Sequence, residues 1–411
     1  MARIGAAMLA LTLAVSVTAC APETAIEDPG PPQVDAALPA DMRAQLQAAT
    51  EEMMAATGSP GAIVGVWAPW AGTWVAGIGT ETPGGSAVDV DKPFKIGAIT
   101  RAMTCDVLYR VVERGTVELD DTVEEWLPAY PNAAGITLGQ LCDGTSGLGN
   151  YAGQVSNRWI ANPERIWNPR ELAAYGLALD RSFAPGTSFR DSDTAYLLLG
   201  LVLARATGTS MHDLYEQLVF DPLGLTSMSL PETARTDGTW LTGLRSATTD
   251  AEGCADPADM TALSPTAGST AGGVVGNIHD LGRYVRALAA GARSYDTAER
   301  FDSAYTLTNQ PAWFTASGGT YQAGSLVGQF SSIPGYLTAA FADRETGLTV
   351  AVVLNNSRAS FSMVRFLAWK LAAIASKAPA AAGETAPEAG LPWTADTFDA
   401  DIAQGAICPV E

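Results

Sequence analysis

The sequence predicts an α+β fold, an antiparallel sheet flanked by N- and C-terminal helices with a mostly helical region inserted between its strands. Three observations carry this. Residues 62–67 and 73–78 are short runs rich in Val, Ile and Trp with Gly and Pro between them, the pattern of two hairpin strands. From residue 100 to about 231 the texture turns helical, punctuated by Gly115, Gly147, Gly186, Gly208 and Gly224. Strands then return at 335–342 and 348–354 around Asp343-Arg344-Glu345-Thr346-Gly347. Strand, helical block and strand again is the order of a sheet whose edges enclose a helical insertion.

Taken in order, a helix is expected over about 40–57, where Met42, Leu46, Ala49, Met53 and Met54 recur at helical spacing. The hairpin follows. The clearer helices of the insertion are expected at 102–114, 137–142, 170–179, 194–207 and 211–219, and a last helix at 361–375. The Ala/Pro/Glu-rich stretch from 378 to about 390 lacks the apolar content to pack and is expected to be a loose extension. The domain organisation expected is therefore a leader over 1–19, a tether over 20–37, one folded domain over 38–376 whose helical region runs from about 98 to 260, and a C-terminal extension over 377–411.

The 411 residues are 47% hydrophobic and only 17% charged, enough to bury a large core. A formal net charge of -20 repels phosphate backbones, which excludes nucleic acid as a partner. Arg3 followed by the apolar run 4–19 is too short for a comfortable membrane span and has the form of an export signal. Its end, Val17-Thr18-Ala19-Cys20, resembles a bacterial lipobox, in which the cysteine is acylated and anchors the mature chain. Ala21 rather than Asp follows it, so the periplasmic face of an outer membrane is the expected address. Residues 21–37, rich in Pro, Glu and Asp, are expected to be a mobile tether.

Four further cysteines, Cys105, Cys142, Cys254 and Cys408, allow two disulfides in an exported chain, with three pairings open. Because Cys408 lies in a terminal tail, Cys254 with Cys408 and Cys105 with Cys142 is the preferred set. No CxxC spacing points to a metal or redox site.

One succession of motifs carries the chemistry. Phe94-Lys95-Ile96-Gly97-Ala98-Ile99-Thr100-Arg101 is followed by Val112-Glu113-Arg114-Gly115, Leu119-Asp120-Asp121 and Trp126-Leu127-Pro128. Then come Thr145-Ser146-Gly147-Leu148, Pro185-Gly186-Thr187, Tyr196-Leu197-Leu198-Leu199-Gly200, Pro222-Leu223-Gly224-Leu225, Ala271-Gly272-Gly273 with Asp280-Leu281, and Pro334-Gly335-Tyr336. In this order, over roughly 40–375, the chain resembles the serine β-lactamase and penicillin-binding-protein family, the class C β-lactamase-related carboxypeptidases and esterases. The resemblance implies a β-lactamase/transpeptidase-like fold and a serine hydrolase site with no cofactor.

That site needs a serine and, three residues on, a lysine on the same helical face. The aligned pair here is Ala98 and Arg101. A methyl cannot form an acyl-enzyme, and a guanidinium cannot act as a base at physiological pH. No shifted copy exists, since the residues three before Lys92, Lys95, Lys370 and Lys377 are Asp89, Lys92, Leu367 and Ile374. The family's Tyr-x-Asn motif aligns with Asp191-Ser192-Asp193, and its His-x-Gly or Lys-Thr-Gly motif with Gln329-Phe330-Ser331. A carboxylate is a poor substitute for a proton-shuttling phenol. Ser331 adds a side chain where the family's glycine lets substrate lie against the strand. The chain is thus expected to be a catalytically degenerate member. Arg101, Asp191, Asp193 and Gln329 remain as ligand-binding candidates, with Arg101 expected to pair with Asp191 or Asp193.

Thr100, Thr104, Ser146 and Ser192 lie near the aligned site, but each has a structural reading, and no G-x-S-x-G elbow occurs. His212 and His279 are the only histidines, too few for a zinc site or a Ser-His-Asp triad, and two aspartates are few ligands for calcium. Two functional classes follow. The first is an envelope protein that binds a cell-wall peptide, a small molecule or another envelope protein without hydrolysing it. The second is a serine hydrolase acting on esters or D-amino-acid peptides through a non-standard nucleophile.

Overall fold

The computed structural model describes residues 26, 30–249, 254, 256–296, 300–301, 304–388 and 390–408. Cys20, the leader and residues 20–25 and 27–29 of the tether fall outside these residues.

Helix α1 (Ala40–Thr57) buries Met42, Leu46, Ala49 and Met53 along one face and ends where Gly58 takes φ +62°. The hairpin β1 (Gly61–Ala68) and β2 (Gly72–Gly79) pairs in register, Val64 facing Ala76. A short strand β3 (Phe94–Lys95) then leads into a 3-10 turn over Gly97–Ile99 and helix α2 (Thr100–Glu113). Helix α2 is buried almost throughout, and Gly115 ends its run of helix-compatible residues. Helices α3 (Leu138–Cys142) and α4 (Asp193–Thr207) pack beside it; α4 buries Leu197, Leu198, Leu199 and Leu203 and closes at Gly208.

Short strand β4 (Val275–Gly276) pairs with β3, and helix α5 (Ile278–Ala289) follows. The sheet is completed by β5 (Tyr305–Thr306), β6 (Phe314–Ser317), β7 (Thr320–Ala323), β8 (Leu326–Ile333), β9 (Tyr336–Asp343) and β10 (Thr349–Leu354). Its order is β2-β1-β10-β9-β8-β7-β6-β5, antiparallel at each pairing, so the early hairpin joins the late one through β1 and β10. One face of the sheet carries α1 and α6 (Phe361–Ala375); the other carries α5 and the helical insertion.

The architecture is the α+β arrangement expected, with differences at several places. Strands β5 to β8 carry Thr, Gln, Ser and Gly among their apolar residues and turn at Gly318-Gly319, so their β pattern is weak in sequence. The helical block stops near Leu223, where Gly224 adopts φ +64°; 224–249 and 256–260 are turns, bends and short strands rather than helix. Helix 211–219 is likewise split, α-helical over Met211–Tyr215 and π-helical over Glu216–Phe220.

Both ends of the domain are tied down. Residues 30–37 of the expected tether run along the sheet edge, with Val34 N–H donating to the Pro69 carbonyl and Ala37 bridging to Thr73. The expected loose extension is exposed over 382–386, but 391–408 folds back. Trp393 and Phe398 are buried against α6, the Trp393 indole donates to the Trp369 carbonyl, and Lys370 bridges Glu52 and Asp399. Disulfides join Cys105 to Cys142 and Cys254 to Cys408. No helix among the described residues is long and apolar enough to cross a membrane.

Candidate functional site

The site lies where the start of α2 meets an open stretch of β8. Strand β7 pairs only with Leu326–Gly328 of β8, leaving Gln329 to Ile333 unpaired on that side. The turn before α2 is possible because Gly97 sits at φ +59°, and a Cβ there would collide with the Ser331 hydroxyl. Ala98 follows at the head of the helix. Its backbone N–H donates to Ser331 Oγ at 2.7 Å, a buried hydrogen bond. A helix N-terminus directs N–H groups at whatever lies before it, and here one of them is taken by the chain's own hydroxyl.

Arg101 lies one turn further along α2, 7% exposed. Its Nη1 pairs with Asp191 Oδ2, and its Nη2 with Asp193 Oδ1 at 2.5 Å. The pairing expected from sequence is made to both acids at once. Asp193 is the first residue of α4, where the helix dipole favours a carboxylate. The guanidinium also lies 5.2 Å from the Tyr196 ring centroid. Burial disfavours the guanidinium charge, but Asp191 and Asp193 more than reverse this and raise the Arg101 pKa above its ordinary value. Tyr321 donates its hydroxyl to Asp191 Oδ2 at 3.2 Å, and burial holds that phenol well above its usual range.

Ala98, Arg101, Asp191, Asp193, Tyr321 and Ser331 line a cavity of about 350 Å³, together with Asn150, Tyr151, Trp159, Gly272, Phe330 and Phe361. The aromatic walls were missed from sequence, because Tyr151, Trp159 and Tyr321 sit in no motif and reach the site from three separate segments. Gln329 is the correction among the ligand-binding candidates. It is 2% exposed and does not line this cavity. Its Nε2 donates to the Gly319 carbonyl at 3.2 Å and its Oε1 accepts from the Phe330 N–H at 2.9 Å, so the amide is turned into the wall.

The other hydroxyls are engaged in structure. Ser192 Oγ donates to the Gly149 carbonyl, Ser146 Oγ accepts from the Leu148 N–H, and Thr100 Oγ1 accepts from the Val274 N–H. Thr104 donates within α2 and meets the Tyr215 hydroxyl. His212 lies 3.3 Å from the Leu230 carbonyl, and His279 is 3.3 Å from Asp91 on the surface. Beneath the site, the Cys105–Cys142 bond ties α2 to α3 with Cα atoms 5.6 Å apart. Gly319 packs so closely on α2 that a Cβ would come within 2.8 Å of Cys105 Sγ.

A family model described as Beta-lactamase matches residues 46–373. The D-alanyl-D-alanine-carboxypeptidase/endopeptidase AmpH of Escherichia coli (strain K12) is 31% identical over 155 residues, 35% of this chain and 39% of that protein. Esterase EstB of Burkholderia gladioli is 33% identical over 152 residues, 33% of this chain and 38% of that protein. The alignments thus span well under two thirds of these relatives' length. A crystal structure of a D-stereospecific amidohydrolase from Streptomyces sp. superposes with a TM-score of 0.68 at 24% identity, covering 79% of this chain and 98% of that one; the likeness is one of fold.

Proposed function

Since the chain belongs to the beta-lactamase family, a family of serine hydrolases, we propose that it is a member that binds a ligand or partner at the cell envelope without hydrolysing it. One observation carries the reading. Where the acylated hydroxyl and its base would stand, Ala98 presents a methyl and Arg101 is held by Asp191 and Asp193. A second supports it, because the Ala98 N–H is engaged by Ser331 Oγ. In acyl transfer such a backbone N–H stabilises the developing oxyanion, and a donor already occupied cannot do so without first breaking its bond.

Export and lipid attachment at Cys20 belong to the same proposal, with the periplasmic face of an outer membrane as the address. The partners would be a cell-wall peptide, a small molecule or an envelope protein. Fractionation tests the anchor, since Cys20→Ser should release the chain from membranes and an unchanged membrane fraction would remove that part.

Family membership and the open cavity favour a second reading, a hydrolase that uses an unrecognised nucleophile on an ester or a D-amino-acid peptide. The discriminating experiment is intact-mass spectrometry of the full chain after long incubation with fluorescent penicillin and, separately, with a fluorophosphonate. No added mass is the result expected. A stable adduct would overturn the non-catalytic reading, and the labelled residue would identify the nucleophile.

A further inference from the structure

The cavity wall has an orientation of charge that bears on what it can hold. Arg101 lies at the back, with 8% of its side chain exposed, while Asp191 and Asp193 keep 29% and 18% exposed. One guanidinium against two carboxylates leaves a formal charge of -1, with the carboxylates toward the cavity. The walls beside them are aromatic, Tyr151, Trp159, Tyr321 and Phe330.

The backbone and guanidinium donors that an anion would use at the head of α2 are taken. The Ala98 N–H is bonded to Ser331, the Arg101 Nη atoms to the two aspartates, and Gln329 to the backbone. Arg101 Nε, the guanidinium nitrogen without a partner, is itself buried. Arg365, the nearby cation stacked on Phe330 with 5.1 Å to the ring centroid, does not line the cavity. An independent feature marks the cavity as built for an occupant. Asp191 Oδ1, a buried carboxylate oxygen of a lining residue, has no donor, and buried acceptors are seldom left so.

We propose that this cavity is a site for a small organic cation, a primary ammonium on an apolar or aromatic body, which it selects over carboxylate ligands. The ammonium would face Asp191 and Asp193, where charge-assisted hydrogen bonds are strong. Its body would lie among the aromatic rings, whose faces attract a cation. The inference rests on the non-catalytic reading above, because an acylating site would require Arg101 and Ser331 to release their partners.

The test is calorimetric titration of the full chain with benzylamine, benzyl alcohol and benzoate, three probes of similar size that differ in charge. Benzylamine should bind at least about tenfold more tightly than benzyl alcohol, a difference of roughly 1.4 kcal/mol, and benzoate should give no saturable heat. Asp193→Asn should lose about tenfold of the benzylamine affinity. If that variant fails to fold, Asp191→Asn at the more exposed carboxylate makes the same comparison.

Benzoate binding as well as benzylamine, or no probe binding at all, would overturn the proposal. So would unchanged benzylamine affinity in the folded variants, which would assign the amine to the acidic surface at large. A covalent adduct in the mass experiment would sink the non-catalytic reading while leaving the charge preference to be read from the titrations. The two failures are thereby distinguishable.

Discussion

Helix α2 contributes to two clusters of the same composition, each an arginine between two aspartates, and their surroundings differ. In the first, Arg101 holds Asp191 and Asp193 at the wall of a cavity, with 29% and 18% of the carboxylate side chains exposed. In the second, Arg300 holds Asp106 at 2.5 Å and Asp296 at 2.6 Å, with side-chain exposures of 0%, 4% and 1%. The sealed cluster is closed further by the Tyr284 hydroxyl on Asp106 and by Tyr109, whose ring centroid lies 4.9 Å from the guanidinium. An ion pair that water cannot reach is a structural element. The same pair at the edge of a cavity leaves carboxylate capacity for something else.

Stability measurements can break that comparison. Arg300→Met strands two buried carboxylates, and removal of one partner from a buried pair costs about 3–5 kcal/mol. Urea denaturation should register it as the largest loss of the set. Arg101→Met exposes carboxylates that the cavity can rehydrate, so the expected loss is smaller, about 1–2 kcal/mol. Equal losses at the two arginines would erase the distinction between sealed and open clusters.

A third buried cation sharpens it. Among the described residues Lys95 has no carboxylate in contact; its Nζ donates to the Thr261 carbonyl at 2.9 Å, beneath the rings of Trp240 and Tyr336. Burial, offset only in part by Asp259, pulls its pKa from 10.5 down to about 7. Between these values the unfolded chain keeps a proton that the folded chain has released, so stability should rise with pH from 7 toward 10.5. Thermal melts across that window should lose this rise in Lys95→Met, and a profile the substitution leaves intact would place the titration elsewhere. The smallest effect belongs to Ser331→Ala, which removes the acceptor of the Ala98 N–H beside a cavity where water can replace it. A loss of about 1 kcal/mol or less is expected in the same denaturation assay.

The two clusters also differ in how far sequence disclosed them. Arg101, Asp191 and Asp193 stand at positions where motifs of known spatial relation fall in order, so their meeting was legible before any coordinates. Asp106, Asp296 and Arg300 belong to no motif, and nothing in their spacing brings a helix residue onto a segment nearly two hundred positions later. Helix α1 was readable because Met42, Leu46, Ala49 and Met53 repeat at helical spacing and Gly58 supplies the stop. The hairpin of β6 and β7 was not, since Phe-Thr-Ala-Ser and Thr-Tyr-Gln-Ala alternate poorly and owe their burial to helix α6 and to neighbouring strands. Gln329 shows the limit of motif reasoning. It lies on the strand beside the start of α2, but the direction of its side chain depends on the Gly319 carbonyl, which no motif reports.

The pinned start of the domain sets a geometric bound on where the protein can sit. Ile26 is held by the Pro222 carbonyl through its N–H and by Arg283 Nη2 through its carbonyl. With Cys20 as the proposed lipid attachment, only the stretch from 20 to 26 is left as a leash, about 20 Å when fully extended. Such a leash would keep the surface around Leu223 and Arg283 close to the lipid headgroups and limit tumbling. Any partner of the cavity would then meet the protein in a restricted range of orientations.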